Sequence, residues 1–284
     1  MQYPYYPGCS LFEKAAAFNE SALEAYNSLG IELKELPEWQ CCGAVYPLSS
    51  DGLFPLAAPL RNLVQAERMS KEDEVSNKMV TACSACFNVH KRVNYLADND
   101  QETLDRINSY NREDEYHQGV EVVHLLEVLQ QEVGFAKLSE LVKVDLSDLK
   151  VAPYYGCLLL RPREELEFDD PENPKIFEDF LAGLGSKPVD FPHRAECCGA
   201  YATLQLETPP EIATRAVVDS ASERGAELIV ASCPLCHFNL QESQQRISQR
   251  EPGFSEIPVI YFTELLQFAL GLSSKLPGFD MPVK

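Results

Sequence analysis

The chain has 284 residues, with 24 Lys and Arg against 44 Asp and Glu, which gives a formal net charge of −20. This charge argues against binding to nucleic acid or to an anionic membrane surface, because both need clustered positive charge. The composition, 45% hydrophobic without an apolar run of about 18 residues, predicts packed globular domains and no membrane-spanning helix. The N-terminus lacks the basic start and apolar core of a secretion signal, so we expect a cytoplasmic protein.

In chain order, short runs that favour β-strands lead into two cysteines, at residues 4–7 before Cys9 and 151–155 before Cys157. Two further apolar runs of strand length, 78–81 and 227–231, each end at a Cys-x-x-Cys and are followed by an amphipathic stretch. Strands alternating with helices predict an α/β fold with a largely parallel sheet flanked by helices. The cysteines would then gather beyond the carboxyl ends of strands, where sites in such sheets usually lie.

Helices are predicted at residues 14–29 and 175–184, the second of which stops at a glycine with a proline beyond. Residues 98–118 are polar without apolar periodicity, and we interpret them as a surface insertion. The acidic run 164–172 is interpreted as a solvated loop, with docking to a basic partner as the alternative.

Ten cysteines form one pattern that occurs twice. Each copy has a single Cys, then Cys-Cys-Gly, then Cys-x-x-Cys, and the two copies are offset by 148 to 156 residues. Self-similarity at this period indicates two copies of one domain, 1–148 and 149–284. The cysteines are Cys9, Cys41, Cys42, Cys83 and Cys86 in the first copy and Cys157, Cys197, Cys198, Cys233 and Cys236 in the second.

In a reducing cytosol, ten cysteines are more typical of metal or catalytic sites than of disulfides. Structural zinc takes four ligands, commonly from two Cys-x-x-Cys pairs or from Cys and His, whereas each copy has one such pair and an adjacent Cys-Cys. Iron–sulfur clusters remain, but five thiolates exceed the four of an ordinary [4Fe–4S] cube. The spacing leaves two possibilities open: an unusual cluster, or a reactive thiol beside an ordinary one.

Several residues near the cysteines are candidates for supporting a cluster. Gly43 and Gly199 follow the Cys-Cys pairs, and we expect them to adopt positive φ and offer N–H donors to cluster sulfur. Trp39 and the tyrosines before the first cysteine of each copy are expected to shield the clusters from water. These tyrosines are Tyr5, Tyr6, Tyr154 and Tyr155.

Cationic side chains flank the cysteines of the second copy. Arg161, His193 and Arg194 are candidates for binding an anionic substrate or a released thiolate, with ordinary surface ion pairing as the alternative. For Arg163 we favour surface pairing. None of these assignments follows from spacing alone.

His237 directly follows a cysteine and is a candidate proton donor, although a histidine on a helix face or in the core is the commoner case. The same structural interpretation is favoured for His90 and His124. No Gly-x-Gly-x-x-Gly or Walker motif occurs, so we expect no flavin or nucleotide in this chain.

The doubled cysteine pattern resembles the paired cysteine-rich (CCG) domains of the B subunit of heterodisulfide reductase, over almost the whole chain. The resemblance implies two α/β domains related by pseudo-two-fold symmetry, each holding a non-cubane [4Fe–4S] cluster through its five cysteines. It implies a catalytic subunit that reduces a small disulfide to two thiols between the two clusters, in anaerobic and often electron-bifurcating complexes. Electrons would come from the flavin-containing A subunit through the ferredoxin-like C subunit, with hydrogenase, formate dehydrogenase or other modules as possible donors.

One position departs from the pattern of the methanogen members. Leu158 directly follows Cys157, where those members have His, and leucine cannot donate a proton. The natural disulfide is therefore open between the heterodisulfide of coenzymes M and B and a bacterial equivalent. The rival interpretation is a non-catalytic iron–sulfur electron-transfer subunit of a larger oxidoreductase complex. Five cysteines in both copies favour the enzyme, because a pure conductor needs only four ligands per cluster.

Overall fold

The chain forms two similar α/β units, each built on a four-stranded parallel sheet, which confirms the predicted fold class. The computed structural model describes residues 1–44, 47, 49, 52–73, 75–111, 115–203, 205–206 and 208–279. The first unit comprises Met1–Val128 together with Arg161–Glu167, and the second comprises Leu129–Leu160 together with the residues from Phe168 on.

The first unit has the strand order β2-β1-β3-β4, and every pairing in it is parallel. The polar Glu-Leu-Lys-Glu run of β2 lies at an edge, where exposed charged side chains are tolerated. The strands are β1 (Gln2–Tyr6), β2 (Glu32–Glu35), β3 (Lys78–Thr81) and β4 (Glu121–His124). The helices are α1 (Cys9–Phe12), α2 (Ala16–Ser28), α3 (Ala57–Glu72), α4 (Ser84–Asn99), α5 (Gln101–Asn108) and α6 (Leu125–Glu132), which ends in the second unit.

The second unit repeats this arrangement with the strand order β6-β5-β7-β8, again wholly parallel. The Leu-Ile-Val-Ala run of β7 is completely buried, as expected of a central parallel strand covered on both faces. The strands are β5 (Lys150–Tyr154), β6 (Lys187–Pro188), β7 (Leu228–Ala231) and β8 (Val259–Tyr261). The helices are α7 (Phe135–Leu141), α8 (Arg163–Leu166), which packs in the first unit, α9 (Ile176–Gly183), α10 (Thr208–Glu223), α11 (Pro234–Arg250) and α12 (Phe262–Ala269).

The two polar segments contain short helices. Residues 98–118, interpreted as a surface insertion, include α5. The acidic run 164–172, interpreted as a solvated loop, begins within α8, so that interpretation is wrong for its first residues. Within 98–118, the carboxylate of Asp100 accepts the N–H of Thr103 at 3.0 Å and caps α5, which buries Leu104 and Ile107. Within the acidic run, α8 buries Leu166. Each helix buries at most two apolar residues, too few to produce a visible periodicity in the sequence. Residues 112–114 lie outside the described ranges.

The second unit begins at Leu129 and therefore includes α7, whereas one later segment, Arg161–Glu167, returns to the first unit. Helix α7 packs on α9 of the second unit, with the rings of Phe135 and Phe180 6.0 Å apart. The segment Arg161–Glu167 packs on α4 of the first unit. There the amide of Asn88 donates to the carbonyl oxygen of Arg161 at 2.8 Å, and Arg92 forms an ion pair with a carboxylate of α8. The compact units therefore do not follow chain order alone.

The close packing of α7 on α9 can be tested at Gly183. A Cβ atom at this position would lie 2.7 Å from the carbonyl oxygen of Phe135. Because overpacking typically costs about 1–3 kcal/mol, we expect Gly183→Ala to lower the free energy of unfolding by that amount in urea denaturation. Gly253→Ala is the control, since nothing lies within 4 Å of its added Cβ. Equal effects in the two variants would contradict this packing.

Candidate metal centres

The five cysteines of the first copy come together in the first unit, and we call them the first thiol group. The Cys9 and Cys41 sulfurs are 3.5 Å apart, and the Cys42 and Cys86 sulfurs are also 3.5 Å apart. Hydrogen bonds between the Cys41 and Cys42 thiols, and between the Cys83 and Cys86 thiols, complete the series. Three distant chain segments thus contribute to one contiguous set of sulfurs.

The second unit assembles its cysteines in the same way, as the second thiol group. The Cys198 and Cys236 sulfurs are 3.6 Å apart. The Cys197 thiol is hydrogen-bonded to those of Cys157 and Cys198, and the Cys233 thiol is hydrogen-bonded to that of Cys236. All ten cysteines are free thiols.

Each thiol group lies at the carboxyl ends of two neighbouring parallel strands. In the first unit, β1 leads to Cys9 and β3 leads to Cys83. Cys83 occupies the N-cap position of α4, and Cys86 lies in the first turn of that helix. The positive end of the helix dipole lies at these sulfurs, although the hydrogen bond with Cys42 raises the pKa of the Cys86 thiol. Strands β5 and β7 and helix α11 provide the same arrangement in the second unit.

The glycines after the Cys-Cys pairs turn backbone N–H groups toward sulfur. Gly43 has φ +77° and Gly199 has φ +76°, a backbone conformation that residues other than glycine rarely adopt. The N–H of Gly43 donates to the Cys41 sulfur at 3.5 Å, and that of Gly199 donates to the Cys197 sulfur at 3.3 Å. Hydrogen bonds of this kind stabilise negative charge on thiolates.

A second pair of glycines permits close approach of the helix cysteines. A Cβ atom on Gly8 would lie 3.0 Å from the sulfur of Cys86, and one on Gly156 would lie 3.1 Å from that of Cys236. A larger residue at either position would displace a thiol.

Two buried phenols hold the Cys-Cys loops, a role that was not predicted. The hydroxyl of Tyr6 donates to the carbonyl oxygen of Gln40 at 2.9 Å and accepts the N–H of Cys42 at 2.9 Å. The hydroxyl of Tyr154 donates to the carbonyl oxygen of Glu196 at 2.7 Å. Burial raises the pKa of both phenols, so both remain protonated donors. The available signal was a tyrosine two residues before Gly-Cys in both copies.

The other aromatic candidates are Tyr5, Tyr155 and Trp39. Tyr5 and Tyr155 are about 1% exposed, and the hydroxyl of Tyr155 donates to the carboxylate of Glu178. Trp39 packs edge to face on Tyr6 with ring centroids 5.6 Å apart. Trp39 thus packs on the tyrosine that bonds to the first Cys-Cys loop.

Neighbouring thiols stabilise negative charge at one sulfur of each group. Hydrogen bonding, led by that from Cys41, lowers the pKa of the Cys42 thiol. In the second group, hydrogen bonds from Cys157 and Cys198 lower the pKa of the Cys197 thiol. The thiolate is the form of cysteine that binds metal.

The donor set fits an iron–sulfur group rather than a single ion. In the described ranges, no three or more His, Cys, Asp or Glu side chains converge as the ligands of one ion do. Each unit instead presents five contiguous sulfurs with backbone N–H groups turned toward them. A tetrahedral ion has room for four thiolates, whereas a cluster offers several metal atoms to five.

The cationic candidates occupy different surroundings. The guanidinium of Arg194 is paired with Glu178 at 3.2 Å and with Asp190, so two carboxylates hold it. His193 is half-buried in the 3₁₀ turn before the second Cys-Cys loop. Arg161 is exposed and belongs to the first unit, so it is not in the same unit as the other two.

The three histidine candidates have surroundings typical of structural residues. His237 is half-buried and stacks on Tyr261 at 4.3 Å between centroids, and burial lowers its pKa to about 4. His124 is fully buried against the carbonyl oxygen of Ala82 at 2.8 Å. His90 is also fully buried, on α4. The imidazole of His237 is therefore neutral at pH 7.

The fold and the two thiol groups define a duplicated cysteine-rich α/β protein. The CCG family, described as a cysteine-rich domain, matches residues 3–89 and 151–241. With this double match, and 30% identity over most of the chain to proteins named as B subunits of heterodisulfide reductase, the chain belongs to that family of cysteine-rich redox subunits. The predicted family is confirmed.

Relatives with different names align over nearly the full length. The "8-methylmenaquinol:fumarate reductase membrane anchor subunit" of Wolinella succinogenes is 35% identical over 284 residues, 98% of this chain and 95% of that protein. The B subunit of the ferredoxin:CoB-CoM heterodisulfide reductase of Methanosarcina mazei is 30% identical over 283 residues, 96% of this chain and 90% of that protein. In the described part of this chain, no helix has the length and apolarity needed to cross a bilayer.

A solved structure shares the fold. A hypothetical protein from Helicobacter pylori superposes with a TM-score of 0.74 at 14% identity, covering 95% of this chain and 49% of that one. At this identity the likeness concerns the fold alone.

The Cys197–Cys198 loop can be tested at its glycine. A Cβ on Gly199 would lie 2.9 Å from the Cα of Pro210, in addition to the strain of positive φ. We expect Gly199→Ala to lose the metal of one site, measured as iron per chain after anaerobic reconstitution. Gly185→Ala is the matched control, because Gly185 has φ +82° but nothing within 4 Å of the added Cβ. Full iron content in Gly199→Ala would contradict this role.

Proposed function

We propose that this chain is the iron–sulfur catalytic subunit of a heterodisulfide-reductase-like complex, in which it reduces a small disulfide to two thiols. The observation that carries the proposal is the contiguous group of five thiols in each unit. Four thiolates suffice for an ordinary cubane cluster. A fifth in both units supports a centre that does more than conduct electrons.

The chain's own residues would hold and tune the two centres. When bound, a non-cubane [4Fe–4S] cluster in each unit would supply one electron and an iron atom open to sulfur. The first and second thiol groups would each ligate one cluster. Gly43 and Gly199 would donate N–H groups to ligating sulfur, while Tyr6 and Tyr154 would fix the loops and exclude water.

The overall reaction fixes what the partners must provide. Reduction of RSSR′ to RSH and R′SH breaks one S–S bond, forms two S–H bonds and consumes two electrons and two protons. The proposed donor is a ferredoxin-like partner that receives electrons from a flavin-containing one. The protons would come from solvent.

The cationic candidates near Cys157 and Cys197 in the sequence divide into binding and support. Arg161 and His193 remain the proposed contacts for an anionic substrate. For Arg194 we propose a supporting role, because its carbonyl oxygen accepts the N–H groups of Tyr155 at 2.8 Å and Gly156 at 3.2 Å. These bonds tie the segment before Cys157 to the segment before Cys197.

The second candidate function is electron transfer within a quinol- or fumarate-linked complex. The 35% identity to the Wolinella fumarate reductase protein favours it, and so does Leu158, which offers no proton. In this function the two clusters would pass electrons between partners and no disulfide would be reduced.

Cluster binding is tested by iron and acid-labile sulfide analysis of the anaerobically purified chain. About eight iron atoms per chain are expected for two four-iron clusters. Cys42→Ser and Cys198→Ser form a matched pair of buried ligands, and each should remove the paramagnetic signal of one cluster only. Zinc without sulfide, or unchanged signals in both variants, would refute the cluster assignment.

The two candidate functions are separated by turnover. Supplied with a low-potential dye as electron donor, the complex should convert disulfides of the coenzyme M–coenzyme B or coenzyme A type to thiols, measured by thiol release. If the clusters are reduced but no thiol forms from any disulfide, while fumarate or quinone is reduced, the second candidate replaces the first.

A further inference from the structure

A buried polar network links α4 to the Cys-Cys loop of the first unit. His90 and Asn62 are 0% and 1% exposed, respectively. The Nδ1 atom of His90 lies 2.8 Å from the carbonyl oxygen of Cys86, and its Nε2 atom lies 3.0 Å from the side-chain nitrogen of Asn62. Helix α3 supplies Asn62, and α4 supplies His90.

The partners determine where the protons lie. A carbonyl oxygen only accepts, so Nδ1 of His90 carries the hydrogen that faces Cys86. The NH₂ group of Asn62 only donates, so Nε2 of His90 must be the acceptor. The imidazole is thus held neutral in a single tautomer, which agrees with its lack of exposure.

Asn62 connects His90 to the Cys-Cys loop through hydrogen bonds. Its side-chain oxygen accepts the N–H of Gln40, and its NH₂ group donates to the carbonyl oxygen of Gln40, both at 2.8 Å. Gln40 directly precedes the Cys-Cys pair. The ring of Tyr6 packs on that of His90 at 4.4 Å, and its hydroxyl bonds to Gln40 and Cys42. Both polar groups of the Asn62 side chain and both ring nitrogens of His90 therefore have hydrogen-bond partners.

The second unit holds its loop with different residues. The position four residues after Cys236, which corresponds to His90, is the buried Leu240. Asn239 of α11 instead donates directly to the carbonyl oxygen of Cys198. The hydroxyl of Thr203 donates to the side-chain oxygen of Asn239 at 2.6 Å. Besides Tyr154, the second loop is therefore held by a helix side chain that bonds at the cysteine itself.

We propose that His90, acting through Asn62, is a positioning residue that fixes the Cys41–Cys42 loop and so protects the first thiol group independently of the second. The inference deepens the proposed function, because it names what shapes one of the two metal sites. Loss of the network frees the loop to move away from α4 and exposes Cys42, which is 4% exposed. Cys198, at 2% exposure, is the internal reference in the other unit.

The test is the rate of thiol alkylation in the full-length chain, stripped of metal under anaerobic conditions and analysed residue by residue with mass spectrometry. The variant His90→Leu introduces the residue that the second unit has at the corresponding position. In this variant Cys42 should react roughly tenfold faster, since one buried hydrogen bond contributes about that factor. Cys198 should keep its rate. Asn62→Leu should reproduce the effect.

A conservative variant distinguishes positioning from bulk packing. His90→Gln keeps an acceptor for the NH₂ group of Asn62, so Cys42 should react at nearly the wild-type rate. Asn239→Leu should speed the reaction of Cys198 and leave Cys42 unchanged. An unchanged Cys42 rate in His90→Leu and Asn62→Leu would overturn the inference, and so would equal acceleration of Cys42 and Cys198.

The metal-loaded chain provides a second readout. Because N–H groups of the loop bond to sulfur, loosening it should shift the reduction potential of one cluster downward in His90→Leu and leave the other unchanged. Equal shifts in both clusters would contradict the inference. If the wild-type chain binds no iron and sulfide, the proposed function fails, whereas the alkylation rates still decide the role of His90.

Discussion

Each unit depends on bringing five sulfur atoms from three chain segments to within contact of one another. In the first unit, regular secondary structure fixes three of them. Cys9 follows β1, and Cys83 and Cys86 lie between the end of β3 and the first turn of α4. The Cys-Cys loop has no regular structure, so the position of its two sulfurs depends on side-chain hydrogen bonds. A buried phenol in each unit supplies the first of these bonds. Because the phenol projects from the same strand that leads to the first cysteine, the sheet itself sets the position of the loop.

The sequence contained most of what determines the architecture. Apolar runs that end at cysteines located β3 within its observed bounds and β7 to within one residue, since buried parallel strands carry a strong local signal. The short edge strands β2 and β6 were not predicted, because their residues are polar or few and pairing with a neighbour stabilises them. Helix α5 was not predicted either, because its two buried residues, Leu104 and Ile107, are too few to produce an apolar periodicity.

The side chains that support the thiol groups were harder to predict than the thiols. Ten cysteines in a repeated pattern point to their own role, whereas Asn62 and Asn239 lie on helices at positions without a repeat. Only the three-dimensional arrangement brings Asn62 to Gln40 and Asn239 to Cys198. The two units thus use different polar residues to meet the same requirement. Between the two repeats all five cysteines match, and so do the supporting tyrosines and glycines, whereas these asparagines do not.

The return of one segment to the first unit has a consequence for dividing the chain. Arg161–Glu167 follows β5 and Cys157 of the second unit, yet it packs with Met1–Val128. A fragment that ends at Val128 would lack this segment, and the complementary fragment would carry it without the surface on which it packs. No single cut in the chain would release both units whole.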